Sequence, residues 1–193
     1  MRKIIYFVEF ILIKILFIVF KIIGYKFSSN LGFLIGIIFG PLFKSKKQII
    51  KNLEKANIQK KQNLKKIASN VLGNYGRIFA EYVHLEDFRN NKLNKYISIE
   101  GNEHLNDLKK SKKKAIFISG HFNNFELMAM QIEKVGIELA AIYRPLNNVF
   151  LNKTMEKIRT ENICKNQIKK GRAGSREIIK NVKNGKSIAI MID

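Results

Sequence analysis

Hydrophobic and polar positions follow one pattern up to about residue 43 and a different one from about residue 64. Residues 4–43 are dominated by Ile, Leu, Phe and Val, interrupted by Glu9, Lys14, Lys21 and Lys26. At about 100° per residue, Lys3, Lys14 and Lys21 fall on one narrow face of a helix whose remaining surface is apolar. Such a helix suits a bilayer interface, or a tilted span whose lysines reach back to the headgroups. It is not a plain transmembrane helix, because a central lysine costs roughly 2.5–3.5 kcal/mol on insertion scales. Ser28-Ser29-Asn30 reads as a break and cap. The apolar stretch behind it, LGFLIGIIFGPLF, has 13 residues. That is too short to span, and reads as an inserted hairpin arm or a buried helix. A core helix of a soluble protein is the competing reading for the whole region. The width of the apolar arc favours membrane contact. No small-residue cleavage site follows a short apolar core, which argues against a removable signal peptide.

Behind residue 64 the periods alternate. LKKIASNVLGNYGRIFAEYVHL has helical spacing, YISIEG (96–101) alternates as a strand does, and HLNDLKK reads as a short helix. AIFISG (115–120) predicts a fully buried strand, and FNNFELMAMQIEKVG a helix that stops at Gly136. IELAAIY (137–143) predicts another strand, followed by the Pro-marked turn RPLNN. VFLNKTMEKIRTEN and REIIKNVKNGK predict helices, the second ending at Gly185, and SIAIMID a last buried strand. Strands alternating with helices imply an α/β fold with a mainly parallel sheet and flanking helices. The predicted organisation is an apolar helical segment at 1–43, a basic segment at 44–66 and an α/β domain at 67–193.

Charge changes the picture. The net charge of +21 over 193 residues implies a polyanionic neighbour. Part of it can come from an AT-rich codon bias that favours Lys, Ile and Asn. Nine lysines stand against the single Glu54 in 44–66, directly behind the apolar segment. Anionic lipid on a cytoplasmic face attracts such a stretch by roughly 1 kcal/mol per residue; a solvated helix face is the plainer alternative. Nucleic acid is not expected as a partner, since no aromatic-studded groove, zinc spacing or helix-turn-helix signature accompanies the lysines. Cys164 is the only cysteine, which excludes an internal disulfide and any Cys-based zinc site.

Candidate chemistry collects where strands end. His121 follows AIFISG, Arg144 follows IELAAIY, and Asp193 ends SIAIMID. If the strands are parallel, all three lie at the carboxyl edge of one sheet, where α/β proteins build their sites. The pair His121 and Glu126 is weak by spacing alone, because five positions on a helix are about 140° apart. The two can meet if His121 lies in the loop and Glu126 in the first turns of the following helix. There Glu126 would orient the imidazole, and His121 would take a proton from an attacking hydroxyl. A histidine that caps the helix, with Glu126 an ordinary first-turn acid, is the plainer alternative. No nucleophile elbow accompanies the pair, for Ser119 lacks a G-x-S-x-G frame. A base without a protein nucleophile points to direct attack of one substrate on another.

The ordered set EGNEHL, AIFISGHFNNFE, IYRPLNN, KIRTEN and NGKSIAIMID resembles the late acyltransferases of lipid A biosynthesis, within the glycerolipid acyltransferase-like superfamily. LGFLIG, KNLEKA and NYGRIFAEY resemble the same family's N-terminal half, so the likeness covers nearly the whole chain. The resemblance implies that His121 and Glu126 are the catalytic dyad and that Arg159 binds substrate or stabilises the oxyanion. It matches Arg144 to the arginine of the YRP motif and Asp193 to the aspartate that ends the next strand. Asn123 and Asn124, in the same loop as the dyad, are candidates for capping the helix or touching substrate. Tyr143 and Pro145 would shape their loop, and His84 and His104 are expected at the surface or in packing.

The implied reaction moves an acyl group from acyl carrier protein to a hydroxyl of a lipid A precursor. It would take place on the cytoplasmic face of a bacterial inner membrane, with no metal or redox cofactor. Acyl carrier protein, a phosphorylated lipid A precursor and an anionic membrane would all suit the basic charge. Alternatives are another lipid acceptor, such as a lysophosphatidate or glycolipid, and a non-catalytic basic membrane-binding protein. In the lysophosphatidate branch the acid of the dyad is usually Asp and a Pro-Glu-Gly block follows, where this chain has Glu126 and GKSIAIMID. Family members normally continue well past the aspartate, which makes these 193 residues read as a fragment.

Overall fold

The computed structural model describes residues 2–56 and 63–192. In chain order these form α1 (Arg2–Ile23), α2 (Tyr25–Phe43), α3 (Lys46–Lys55), α4 (Leu64–Glu81), a 3-10 turn (Tyr82–His84) and α5 (Leu85–Arg89). After a second 3-10 turn (Asn94–Tyr96) come α6 (Asn102–Ser111), β1 (Ile116–Ser119), α7 (Glu126–Lys134) and β2 (Leu139–Tyr143). The rest is α8 (Val149–Asn162), β3 (Asn166–Lys169), α9 (Arg172–Lys183) and β4 (Ser187–Met191). The chain divides into two compact units, Lys14–His84 and Met1–Ile13 with Leu85–Asp193; the boundary falls within α1.

In the helical unit, α2 lies against α4. Glycines make the approach possible: a Cβ on Gly32 would stand 2.6 Å from the Gly76 carbonyl oxygen, and one on Gly76 would stand 2.7 Å from Gly36 Cα. Small residues that let two helix backbones touch are the usual device where apolar helices pack closely. Ser45 caps α3, its Oγ accepting from the Gln48 N–H at 3.3 Å. The apolar face of α3 then buries Ile49 against Ala68 and Leu72 of α4.

The expected break at Ser28-Ser29-Asn30 does not exist. The chain turns instead at Gly24, whose φ of 78° suits glycine, and α2 runs for 19 residues from Tyr25. Both serines are buried inside the helix because their hydroxyls have tertiary partners. Ser28 Oγ donates to Tyr25 O and lies 2.9 Å from His84 Nε2, while Ser29 Oγ donates to Glu81 Oε1 at 2.7 Å. Since the single Ser28 proton goes to Tyr25 O, the His84 contact requires the Nε2–H tautomer as donor. His84 is therefore a packing residue, whereas His104 is 83% exposed. By length and composition, α2 is one helix able to cross a membrane.

In the α/β unit the described strands form one parallel sheet in the order β1-β4-β2-β3. Right-handed crossovers put helices reached by rightward and leftward steps on opposite faces. The faces agree: Ala140, Ile168 and Ile188 pack under Ile178 of α9, while Ala141, Tyr143, Ala189 and Met191 look toward α7 and α8. The α/β fold with a parallel sheet and flanking helices is thus present.

Three expectations fail in detail. YISIEG forms no strand; among the described residues the sheet ends at β1, and the alternating Ile97 and Ile99 line an apolar recess instead. AIFISG is a strand but not a buried one, for β1 is a sheet edge with Ile116 64% and Ile118 61% exposed. The predicted helix from Phe122 begins only at Glu126, because residues 122–125 are used in a turn. Strand β3, NQIK, has no sequence counterpart above: Ile168 is its single buried side chain.

The start of α1 belongs to the α/β unit through α8. Asn148 caps α8 with Oδ1, accepting from the Phe150 and Leu151 N–H groups at 3.1 Å, and donates through Nδ2 to Tyr6 O and Glu9 Oε2. Glu9, which interrupts the apolar run in the sequence, is there to meet this cap. Phe7 and Phe10 close the joint on Phe150, with ring centroids 5.6 and 6.1 Å away.

Candidate active site

Parallel pairing brings four strand ends to one edge: Ser119 pairs with Met191, and Tyr143 with Lys169. A cavity of about 430 Å3 opens beside this edge, lined by His121, Glu126, Tyr143, Arg144, Arg159 and Lys170 among others. Four of the residues singled out from sequence, His121, Glu126, Arg144 and Arg159, therefore share one wall system.

The loop after β1 is built to separate His121 from the helix that follows. The Phe122 N–H donates to Gly120 O at 2.8 Å, a three-residue turn that leaves His121 at its apex. Asn123 takes a positive φ of 43°, which Asn tolerates better than most side chains. The carbonyls of Asn123 and Asn124 then accept from the Phe125 and Leu127 N–H groups. The backbones of Asn123 and Asn124 thus shape the turn, and neither residue is among those given above for the cavity wall. The His121 ring stacks edge-on against Phe125, centroids 4.7 Å apart. Asp193 lies outside the described residues.

Glu126 is the first residue of α7, where the helix dipole favours a carboxylate by roughly 0.3–1 kcal/mol. It also has a fixed cation. Arg159 Nε donates to Glu126 Oε1 at 2.9 Å, with the two side chains 14% and 10% exposed. The guanidinium carbon stands 5.6 Å from the centroid of the Tyr143 ring, within cation–π range.

A second carboxylate below this layer escaped the sequence reading. Glu156 Oε1 accepts from the Tyr143 hydroxyl, from Asn152 Nδ2 at 2.9 Å and from Lys169 Nζ at 3.0 Å. The Tyr143 bond, above all, holds the Glu156 carboxyl below the usual carboxylate range, aided by Lys169 and Asn152 against a smaller opposing effect of burial. Burial and the same bond push the Tyr143 hydroxyl above its ordinary value. A signal for Glu156 was present: it precedes Arg159 by three positions, hence lies on the same face of α8.

The profile of the bacterial lipid A biosynthesis acyltransferases matches residues 1–193. The chain belongs to that family. No curated protein matches it. As in its family's name, the chemistry in question is acyl transfer in lipid A biosynthesis.

In this lipid A acyltransferase family member, Cys164 is unsuited to be a nucleophile. Its thiol is buried, donates to Leu139 O at 3.0 Å, and is pushed up to about 11, chiefly by burial. Among the described residues no three His, Cys, Asp or Glu side chains gather as a metal site. Among the described residues, Arg144, Arg159 and Lys170 outnumber Glu126, the one carboxylate on the cavity wall, which suits an anionic ligand.

Proposed function

We propose that the protein transfers a fatty acyl group from the thioester of acyl carrier protein to a hydroxyl of a lipid A precursor. The observation that carries this reading is the meeting of His121, Glu126, Arg144 and Arg159 in one cavity, in a chain of this family. His121 accepts the proton of the acceptor hydroxyl as its oxygen bonds to the thioester carbonyl carbon. Glu126, held by Arg159, supplies the negative charge that steadies the imidazolium. When the tetrahedral adduct collapses, the C–S bond breaks and the departing thiolate takes the proton back from His121. Cationic side chains at the cavity, with backbone N–H groups of the loop, would offset the charge of the oxyanion. A thioester is already activated, and the scheme uses no metal and no redox cofactor. Arg144 and Lys170 are the groups proposed to meet substrate phosphate, and Asp193 is proposed to bind substrate at the end of β4.

The assay is transfer by detergent-solubilised protein, with labelled acyl groups on acyl carrier protein or on coenzyme A. Label entering a lipid A precursor from the carrier protein is expected. Label entering lysophosphatidate instead would overturn the acceptor assignment.

The same reading places the work at the cytoplasmic face of the inner membrane. Ile4, Ile15, Ile18 and Ile22 of α1, and Phe27, Leu34, Ile38 and Leu42 of α2, are all more than half exposed. Apolar surface of that extent is unusual for a protein surrounded by water. The lysines of α3 would add attraction to anionic headgroups. Sedimentation with anionic and zwitterionic vesicles checks this: tighter binding to the anionic ones, and retention after a high-salt wash, is expected. Full release by salt would contradict burial of the apolar helices in lipid.

A further inference from the structure

We propose that Glu156 is a positioning residue for Arg159: by holding Tyr143 it fixes the aromatic platform on which the guanidinium rests. This rests on the reading of His121, Glu126 and Arg159 as the reacting centre.

Geometry is the ground for it. One oxygen of Glu156 receives donors from three elements, the Tyr143 hydroxyl of β2, Lys169 of β3 and Asn152 of α8 itself. Tyr143 is the last residue of β2, where the backbone leaves the sheet and its ladder stops. A ring there needs a second anchor to keep one orientation, and the hydroxyl bond supplies it. One turn along α8 from that carboxylate, Arg159 lies over the ring at 5.6 Å and donates to Glu126 at 2.9 Å. An arginine side chain has several rotatable bonds, so a single ion pair leaves it much freedom. A ring on one side and a carboxylate at Nε on the other leave it little. Glu156 is not on the cavity wall, so its effect on the reaction runs through Tyr143 and Arg159.

A purely architectural Glu156, tying α8 to the sheet, is the rival account. The two differ in what Glu156→Gln and Tyr143→Phe do. Tyr143→Phe keeps the ring and loses its tether; Glu156→Gln keeps the shape and loses the charge. Positioning predicts that each lowers kcat about tenfold, since small misplacements at a reacting centre are costly. It predicts KM changed less than about twofold, and a double variant close to Tyr143→Phe alone, because both changes weaken the same tether.

Activity is not the only readout. The Arg159 Nε–H, bonded to Glu126, should give a slowly exchanging proton signal in NMR of the full chain in micelles, assigned by its absence in Arg159→Lys. Loss of that protection in Glu156→Gln and in Tyr143→Phe, with the melting temperature little changed, is the expected result. Unchanged protection, or a kcat that falls only in step with the folded fraction, overturns the proposal. If the unaltered protein transfers no acyl group at all, the proposed function fails, while the proton signal still decides whether Glu156 holds Arg159.

Discussion

Replacing His121 by alanine lowers acyl transfer by about 10²–10⁴-fold and leaves stability within about 0.5 kcal/mol of the unaltered protein. The size of the first effect is that of removing the proposed general base. The smallness of the second follows from where His121 sits. Its ring is at the apex of an exposed turn, and the turn itself is closed by the backbone bond from Phe122 to Gly120. It packs edge-on against Phe125. A transfer assay beside a thermal melt separates the two quantities. Parallel losses in both would mean that His121 holds the loop rather than the proton. Full activity in the variant would remove the dyad from the mechanism.

Leucine at Gly76 separates α2 from α4 and costs the helical unit about 3 kcal/mol or more. Overpacking in a core usually costs about 1–3 kcal/mol, because side chains shift to make room. Here the obstacle is backbone: the first added carbon would stand 2.7 Å from Gly36 Cα and 2.8 Å from Gly36 N. Neither atom can move without its helix, and the facing positions repeat the problem, since Gly32 meets Gly76 O at 2.6 Å. Helix separation would also break the buried Ser28–His84 and Ser29–Glu81 contacts. Limited proteolysis across 64–84, or a denaturant titration, reads the loss. Resistance equal to that of the unaltered chain would show that the glycines are not needed for contact.

The sequence carried the parts of this fold that have local causes. Helix α8 begins where predicted because Asn148 supplies its own cap three residues after Pro145. The loop position of His121 and the helical position of Glu126 were legible because Gly120 ends the apolar strand pattern there, although the helix begins at Glu126 rather than Phe122. What depended on distant partners was not legible. Ser28 and Ser29 read as a helix break, since the residues that satisfy them, Glu81 and His84, lie more than fifty positions away. YISIEG has the alternation of a strand but, among the described residues, no strand pairs with it, and NQIK pairs with β2 without any alternation of its own. At the site, the spacing of His121 and Glu126 said nothing of Arg159 closing on that carboxylate from α8. Nor could it reveal Glu156 beneath Tyr143, a contact that exists only once β2 and α8 are folded together.

The most direct measurement is mass spectrometry of lipid A from a bacterium that lacks its own late acyltransferase and expresses this protein or its His121→Ala variant. A species heavier by one acyl group, present with the unaltered protein and absent with the variant at equal expression, is the predicted result. Identical lipid A in both strains, with both proteins present in the membrane fraction, would contradict acyl transfer to lipid A by His121.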